Sequence, residues 1–351
     1  MEVDYLVVGQ GLAGSLLSYN LLKENKSVLI VDANEEITSS KIAAGIYNPI
    51  TGRRLVKTWL ADSLFPCLET FYSELEGTLG ASFLNKRLMF RPFDSIADQN
   101  YWYGQSSDVA FKNYIRLVEN EPEILKHYHA QYGGFYTELS GYVQVKSMLE
   151  SFEKYFHQQN IILQCKCGRE DLTIFEDKIC FKDINAKAII FCEGYNSKQN
   201  TLFKYLPIEP TKGEILDVEI ENYKIQSIVN KRVFILPESN FQRIGSTYER
   251  DFEDLSITED ARKDISAKLE AVLKSPYKII NQRTAVRPTT VDRRPILGKH
   301  PLYSNIFIFN GLGAKGVSLG PYFSLQMANF LIYHKPLLPE VDIRRFDYLY
   351  H

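Results

Sequence analysis

The first 32 residues carry the sharpest hydrophobic pattern of the chain. An apolar run, Tyr5-Leu-Val-Val8, stops at Gly9, and Gly11 and Gly14 follow. The stretch Ser15–Leu22 then reads as a helix, and Val28-Leu-Ile-Val31 forms a second apolar run that closes on Asp32. The order is strand, glycine turn, helix, strand, acidic residue. Farther on, Val56, Leu60, Leu64, Leu68, Phe71 and Leu75 recur at steps of three or four, which predicts a long helix that Pro66 should kink or restart. Between residues 81 and 141 the texture changes to short aromatic segments separated by polar turns, among them Arg87–Arg91, Phe111–Val118 and Gly134–Leu139. These predict antiparallel sheet.

Helical and buried-strand patterning then returns. Met148, Leu149, Phe152, Tyr155 and Phe156 mark a helix, while Ile161–Cys165 and Ala188–Cys192 read as buried strands. Sheet texture resumes at Glu214–Ile220, Val233–Leu236 and Gln242–Tyr248. Ser256 and Glu259 are spaced as a capping box for a helix whose core stripe is Ile265, Leu269 and Val272. Asn305–Phe309, the turn Asn310–Gly316 and an apolar helix over Val317–Tyr333 complete the pattern. The alternation predicts an α/β chain of two domains: a Rossmann-like nucleotide domain with an inserted antiparallel substrate domain. The nucleotide domain comprises 1–80, 142–207 and 284–351, and the substrate domain 81–141 and 208–283.

Each residue of the opening motif has its own physical reason. Gly9 permits the tight exit from the strand, Gly11 lets backbone N–H groups approach a pyrophosphate, and Gly14 lets the helix pack closely. Asp32 is placed to accept from a ribose diol. Ala33 and Asn34 follow with no arginine, which disfavours a 2′-phosphate. The motif therefore points to NAD or FAD and does not choose between them.

Bulk properties narrow the classes. With 351 residues, 45% hydrophobic, and a net charge of −2, the chain reads as a soluble globular protein with no general basic excess for nucleic acid. Residues 1–3 lead directly into the first strand, so a cytoplasmic location is expected. The 317–333 helix is short for a membrane span and reads as buried. Five cysteines, Cys67, Cys165, Cys167, Cys180 and Cys192, do not form a disulfide framework, and neither they nor the six histidines show metal-ligand spacing. His127 and His129 read as structural or solvent-facing, and Arg53-Arg54 as a solvated pair.

A second strand–glycine turn–helix, Gly311-Leu-Gly313-Ala-Lys-Gly316, aims another helix N-terminus at an electron-rich atom. Reduced flavin carries negative charge at N1 and the C2 oxygen, so this turn favours FAD over a nicotinamide. Together with Gly9–Gly14, Ala43-Ala-Gly45-Ile46, Ala188–Ser197 and Ala285–Gly298, it resembles the D-amino-acid oxidase/glycine oxidase-like FAD-dependent oxidoreductases, over most of the chain. Glu193 departs from the small residues usual in that family's second strand-turn. Asn48-Pro49 and the Gly311–Gly316 turn look closest to the flavin domain of bifunctional tRNA wobble-uridine modification enzymes, whose methyltransferase half has no counterpart read here.

The resemblance implies non-covalent FAD against Gly9, Gly11, Leu12, Ala13, Gly14, Asp32 and Ala33, and against Ser39, Ser40, Ala44, Gly45 and Ile46. It also implies contacts from Cys192, Gly194, Gly311, Leu312, Gly313, Ala314, Lys315 and Gly316. It implies oxidation of a C–N bond in an amine or amino acid bearing a carboxylate, by hydride transfer to flavin N5, with oxygen or a quinone or carrier as acceptor. Arg287 matches the family's Arg-Pro block and is expected to hold the carboxylate, unless it pairs with Asp292. Lys315, in the second turn, is expected to bind carboxylate, stabilise reduced flavin or assist oxygen. Phe234 and Tyr248 are expected on strands lining the substrate pocket, with the Tyr248 hydroxyl in reach of substrate. A tRNA substrate is the alternative, since a local basic surface is invisible in composition, and a non-catalytic flavoprotein is the third reading.

Overall fold

The computed structural model describes residues 1–51, 56–119 and 121–350. Parallel strands need crossovers and end up covered on both faces, and the chain obeys this at its start. Glu2–Val8 pairs parallel with Val28–Asp32 across the helix Leu12–Lys23, and on its other edge with Ile184–Phe191. Ile306–Asn310 extends the sheet beside Ile189–Phe191. The antiparallel pair Leu172–Ile174 and Ile179–Phe181 occupies the first half of that same edge. Ile162–Gln164 closes the other side as an edge strand, only half buried, where the sequence predicts a buried one.

A second sheet of eight strands is antiparallel except where Met89–Pro92 meets Ile228–Asn230. Its longest ladder joins Ile208–Ile220 to Tyr277–Thr290, with a bulge between Asp217 and Val218. The strand Tyr277–Thr290 runs through the domain boundary placed at 283/284, which is therefore not a break in the chain's structure. Both sheets and the mixed fold class agree with the two-domain α/β reading.

Several local expectations are corrected. The helix read from Val56 begins at Ala61 and ends at Leu79; Val56 instead pairs with Thr51 in a hairpin, and Leu60 caps the helix in the left-handed region. Pro66 sits within it without ending it, because only one backbone donor near its first turns is lost. Residues 81–141 are not all sheet: Ile96–Gln105 and Pro122–His127 are helices, and only Ile115–Val118 of the Phe111–Val118 segment is a strand. Ser95 accepts from the Asp98 N–H, a cap that the aromatic content of the segment obscured. The later helix starts at Glu259 and is capped by Thr258, whose hydroxyl accepts from Ala261 at 3.2 Å; Ser256 is not the cap. Tyr248 lies beyond the strand Gln242–Gly245 and on no strand. His127 is buried, with Nδ1 2.8 Å from the Ser275 hydroxyl.

The helix Val145–Gln158 shows how the core is made. Met148, Leu149, Phe152 and Phe156 recur at helical spacing and all are buried, and Phe152 packs on Tyr19 and Phe156. Phe152→Ala should therefore cost about 3–5 kcal/mol by urea unfolding. Val109→Ala, at a site 76% exposed, should change stability by less than about 0.5 kcal/mol.

Candidate active site

Strands of the parallel sheet end together, and a cleft of about 2050 Å³ opens over their carboxyl ends and runs toward the antiparallel sheet. Its first wall is built by glycines. Gly9 has φ +103°, and a Cβ there would lie 2.6 Å from the Cys192 carbonyl oxygen. A Cβ on Gly14 would lie 1.8 Å from the Gly9 carbonyl oxygen. Gly14 is thus buried behind the wall while Gly9, Gly11, Leu12 and Ala13 line it. The helix Leu12–Lys23 begins without a capping side chain or an acidic first turn, although the Ser40 hydroxyl accepts from the Leu12 N–H. Its remaining first-turn N–H groups suit an anion. Asp32, at the next strand end, accepts from the Gln10 and Asn34 backbone N–H groups at 2.5 and 2.7 Å.

The segment Ser39–Ile46 crosses the cleft, and Ala33, Ser39, Ser40, Ala44, Gly45 and Ile46 all line it. Gly45 has φ +67° and backs onto the Val143 carbonyl, where a Cβ would have no room. Cys192 and Gly194 line the same cleft. Between them Glu193 is held by Asn200 Nδ2 at 2.8 Å, and burial pushes its carboxyl up to about 7, with the nearby Glu170 adding to the rise.

A second wall comes from the far end of the chain. Gly311 and Gly313 have φ +74° and +55°, and Gly311–Gly316 all line the cleft. Asn310 donates to the Gly194 carbonyl at 2.8 Å and to the Ser197 hydroxyl at 3.0 Å, tying the two turns together. The helix Gly316–Tyr333 packs on the first helix through its small residues: a Cβ on Gly316 would lie 2.7 Å from Leu12 Cδ2, and one on Gly320 2.6 Å from Leu16 Cδ1. The two helices therefore present their N-termini to one space. These walls suit an extended dinucleotide, with Cβ-free backbone at each close approach.

On the antiparallel side, Arg287 faces the cleft from the strand Tyr277–Thr290. Asp292 does not neutralise it; that carboxylate pairs with Arg345 at 2.9 Å. Arg287 instead donates to the Ser246 hydroxyl at 2.7 Å and the Thr247 carbonyl at 3.2 Å. Its guanidinium lies 4.2 Å from the Tyr248 ring centroid. Gly213, diagonal to it on the paired strand, supplies the space: a Cβ there would lie 2.2 Å from Nη2 and 2.3 Å from Nη1. Among the described residues no carboxylate lies within ion-pair distance of Arg287, and burial lowers its pKa below the usual arginine range. Tyr248 is 66% exposed, and its ring face against Arg287 is its defined contact.

Lys315 donates to the Thr51 hydroxyl at 2.9 Å, across the cleft from its own turn. Burial depresses its ammonium, and the charges of Arg294 and Arg293 depress it further. Four residues that line the cleft were not singled out by pattern. Gly213 looks like an ordinary strand glycine, Ser246 and Thr247 like a turn, and Trp59 like one aromatic among many.

A family model, FAD dependent oxidoreductase (DAO), matches residues 4–329. The chain belongs to this family. The uncharacterized oxidoreductase YurR of Bacillus subtilis is 22% identical to it over 371 residues, covering 98% of both chains. The bifunctional tRNA 5-methylaminomethyl-2-thiouridine biosynthesis protein MnmC of Leptospira borgpetersenii is 22% identical, over 96% of this chain and 58% of that protein. Among solved structures, iminodiacetate oxidase from Chelativorans sp. BNC1 superposes with a TM-score of 0.79 at 20% identity, covering 98% of both chains. Glycine oxidase from Bacillus cereus gives 0.77 at 16%, over 95% of this chain and 96% of that one. This DAO-family chain therefore has the amino-acid-oxidase fold, and its cleft lies where its two sheets meet.

Among the described residues there is no group of three or more metal-ligating side chains, and no helix is long and apolar enough to cross a membrane. Cys165 and Cys167 follow the edge strand and line the cleft as free thiols. Arg53 and Arg54 lie outside the described residues.

Glu193 gives a pH prediction for this DAO-family protein. Its carboxyl is raised from 4.5 to about 7, so the folded protein keeps a proton that the unfolded chain releases. Stability should fall as pH rises from about 4.5 through about 7 and then level off, with respect to this group. Glu193→Gln should remove that part of the slope and raise the melting temperature at pH 8 relative to wild type, read by thermal unfolding at pH 5, 6, 7 and 8.

Proposed function

We propose that this protein oxidises the C–N bond of a small amine or amino acid bearing a carboxylate, with non-covalently held FAD. The observation that carries this reading is the half-buried Arg287 guanidinium, without a carboxylate of its own among the described residues, over the bare backbone of Gly213. A desolvated cation that has lost water and gained no counter-ion is set to take one from a ligand. A planar guanidinium takes a carboxylate through two parallel hydrogen bonds, which fixes orientation as well as affinity.

The residues that would hold FAD are the Gly9–Gly14 turn with Asp32 and Ala33, the Ser39–Ile46 segment, Cys192 and Gly194, and the Gly311–Gly316 turn. Asp32 keeps acceptor capacity beyond its two backbone donors, and the two helix N-termini suit the pyrophosphate and the electron-rich end of the flavin. Bound FAD would supply the hydride acceptor, at its N5. Arg287 orients the substrate so that its α C–H faces that acceptor, and the Tyr248 ring and Ser246 hydroxyl hold the guanidinium in place. Lys315, lining the cleft near Arg293 and Arg294, stabilises negative charge that develops beside the second turn. The neutral amine loses hydride with help from its nitrogen lone pair, and the imine hydrolyses in water. Oxygen or a quinone or carrier accepts the electrons in the end.

Arg287→Ala should weaken carboxylate-bearing amines about 10- to 100-fold while FAD affinity changes less than about threefold. Gly213→Ala should move in the same direction with Arg287 still present, because the added Cβ displaces the guanidinium. Anaerobic bleaching titrations of the flavin read both, and unchanged substrate dependence in both variants would refute the assignment.

The MnmC relatives favour a second reading, a modified uridine of tRNA as the amine. It predicts tRNA binding that weakens steeply between 50 and 200 mM salt in a filter-binding assay; binding too weak to detect at 50 mM salt would remove it.

A further inference from the structure

Arg287 accounts for one anion, yet the same end of the cleft holds more unpartnered positive charge. Arg294 lays its guanidinium 4.1 Å from the centroid of Trp59, and Trp59 itself stacks on the buried Phe323 at 5.7 Å. Arg294's side chain meets a backbone carbonyl at 3.4 Å and, among the described residues, no carboxylate. Among the described residues the Lys315 ammonium donates to Thr51 alone, and burial together with the charges of Arg294 and Arg293 depresses it. All three cations line the cleft.

Elsewhere several buried or half-buried cations are paired, although the buried Arg91, among the described residues, meets only the Ile50 carbonyl. Arg243 and Arg283 share Asp217, and Lys212 lies between Glu214 and Glu249. Acidic side chains at this end of the cleft are already engaged: Glu209 faces Arg250 at 3.8 Å and Asp264 faces Lys268 at 2.5 Å. Like charges held together without a counter-ion are unfavourable unless a ligand supplies it. The aromatic platform matters too, because a guanidinium fixed over Trp59 keeps its N–H edge free and loses little freedom on binding. The arrangement adjoins the Arg287 site: Gly313 sits against Thr289, two residues along the same strand, and Lys315 is two residues beyond Gly313.

The geometry points to a second anion subsite, formed by Arg294 on Trp59 with Lys315, that binds a second anionic oxygen group of the substrate, a carboxylate or a phosphate. The preferred substrate is then an amine that carries two anions, one on Arg287 and one on Arg294. This rests on the amine-oxidation reading for its chemistry, and its test does not require turnover.

The test uses the FAD-loaded protein and inert thioethers in place of amines, titrated by their perturbation of the flavin spectrum. (Methylthio)acetate has one carboxylate, thiodiacetate adds a second, and (phosphonomethylthio)acetate adds a phosphonate instead. One of the latter two should bind about tenfold or more tighter than (methylthio)acetate, and the tighter one names the second group. Arg294→Gln should reduce that gain to less than about threefold, with (methylthio)acetate binding and the flavin-to-protein absorbance ratio retained. Equal binding of all three probes to the wild type, or a gain intact in Arg294→Gln, would overturn the subsite. A failure of every amine to bleach the flavin would instead count against the reaction alone.

Discussion

A guanidinium half withdrawn from water and left without a carboxylate is the constraint around which the substrate side is arranged. Arg287 is tolerated only because three different features surround it: a hydroxyl and a carbonyl to donate to, an aromatic face, and a strand with no side chain beneath. Remove the space over Gly213 and the cation has nowhere to lie. The long ladder between Ile208–Ile220 and Tyr277–Thr290 fixes that register, so a single strand pairing sets both the position of the charge and the room for it.

The cleft is electrostatically asymmetric. Asp32, Glu35, Glu170 and Glu193 gather over the parallel sheet, where backbone N–H groups and helix N-termini provide the positive potential. At the other end the positive potential comes from side chains, Arg287, Arg293, Arg294 and Lys315. Backbone dipoles are fixed in place by the fold and suit a resident group. Side-chain cations on an open cleft suit a group that comes and goes.

Much of this was legible in the sequence because local physics and tertiary demand coincide in it. Gly9, Gly14 and Gly311 each occupy a conformation or a contact that excludes a Cβ, so their spacing alone marks the turns. Arg287 was readable through the resemblance of the Ala285–Gly298 segment to the family's Arg-Pro block. Gly213 was not, since nothing local distinguishes a glycine that makes room for a side chain 74 positions later from one that merely bends a strand. The helices Ile96–Gln105 and Pro122–His127 were hidden by aromatic content that serves strands equally well, and their short lengths gave little periodicity to read. Val56 and Leu60 continued the helical spacing by coincidence, and the hairpin pairing of Thr51 with Val56 overrode it.

The interleaving of the two sheets has a consequence for biosynthesis. The Gly9 turn leaves the ribosome first, but its strand pairs with Ile184–Phe191, and that strand with Ile306–Asn310. Asn310 then closes the turn at Gly194. Contacts of such sequence separation form late and slowly. The edge of the parallel sheet is therefore completed only after Asn310 has been made, and a ligand that spans both glycine turns finds its site no earlier than that.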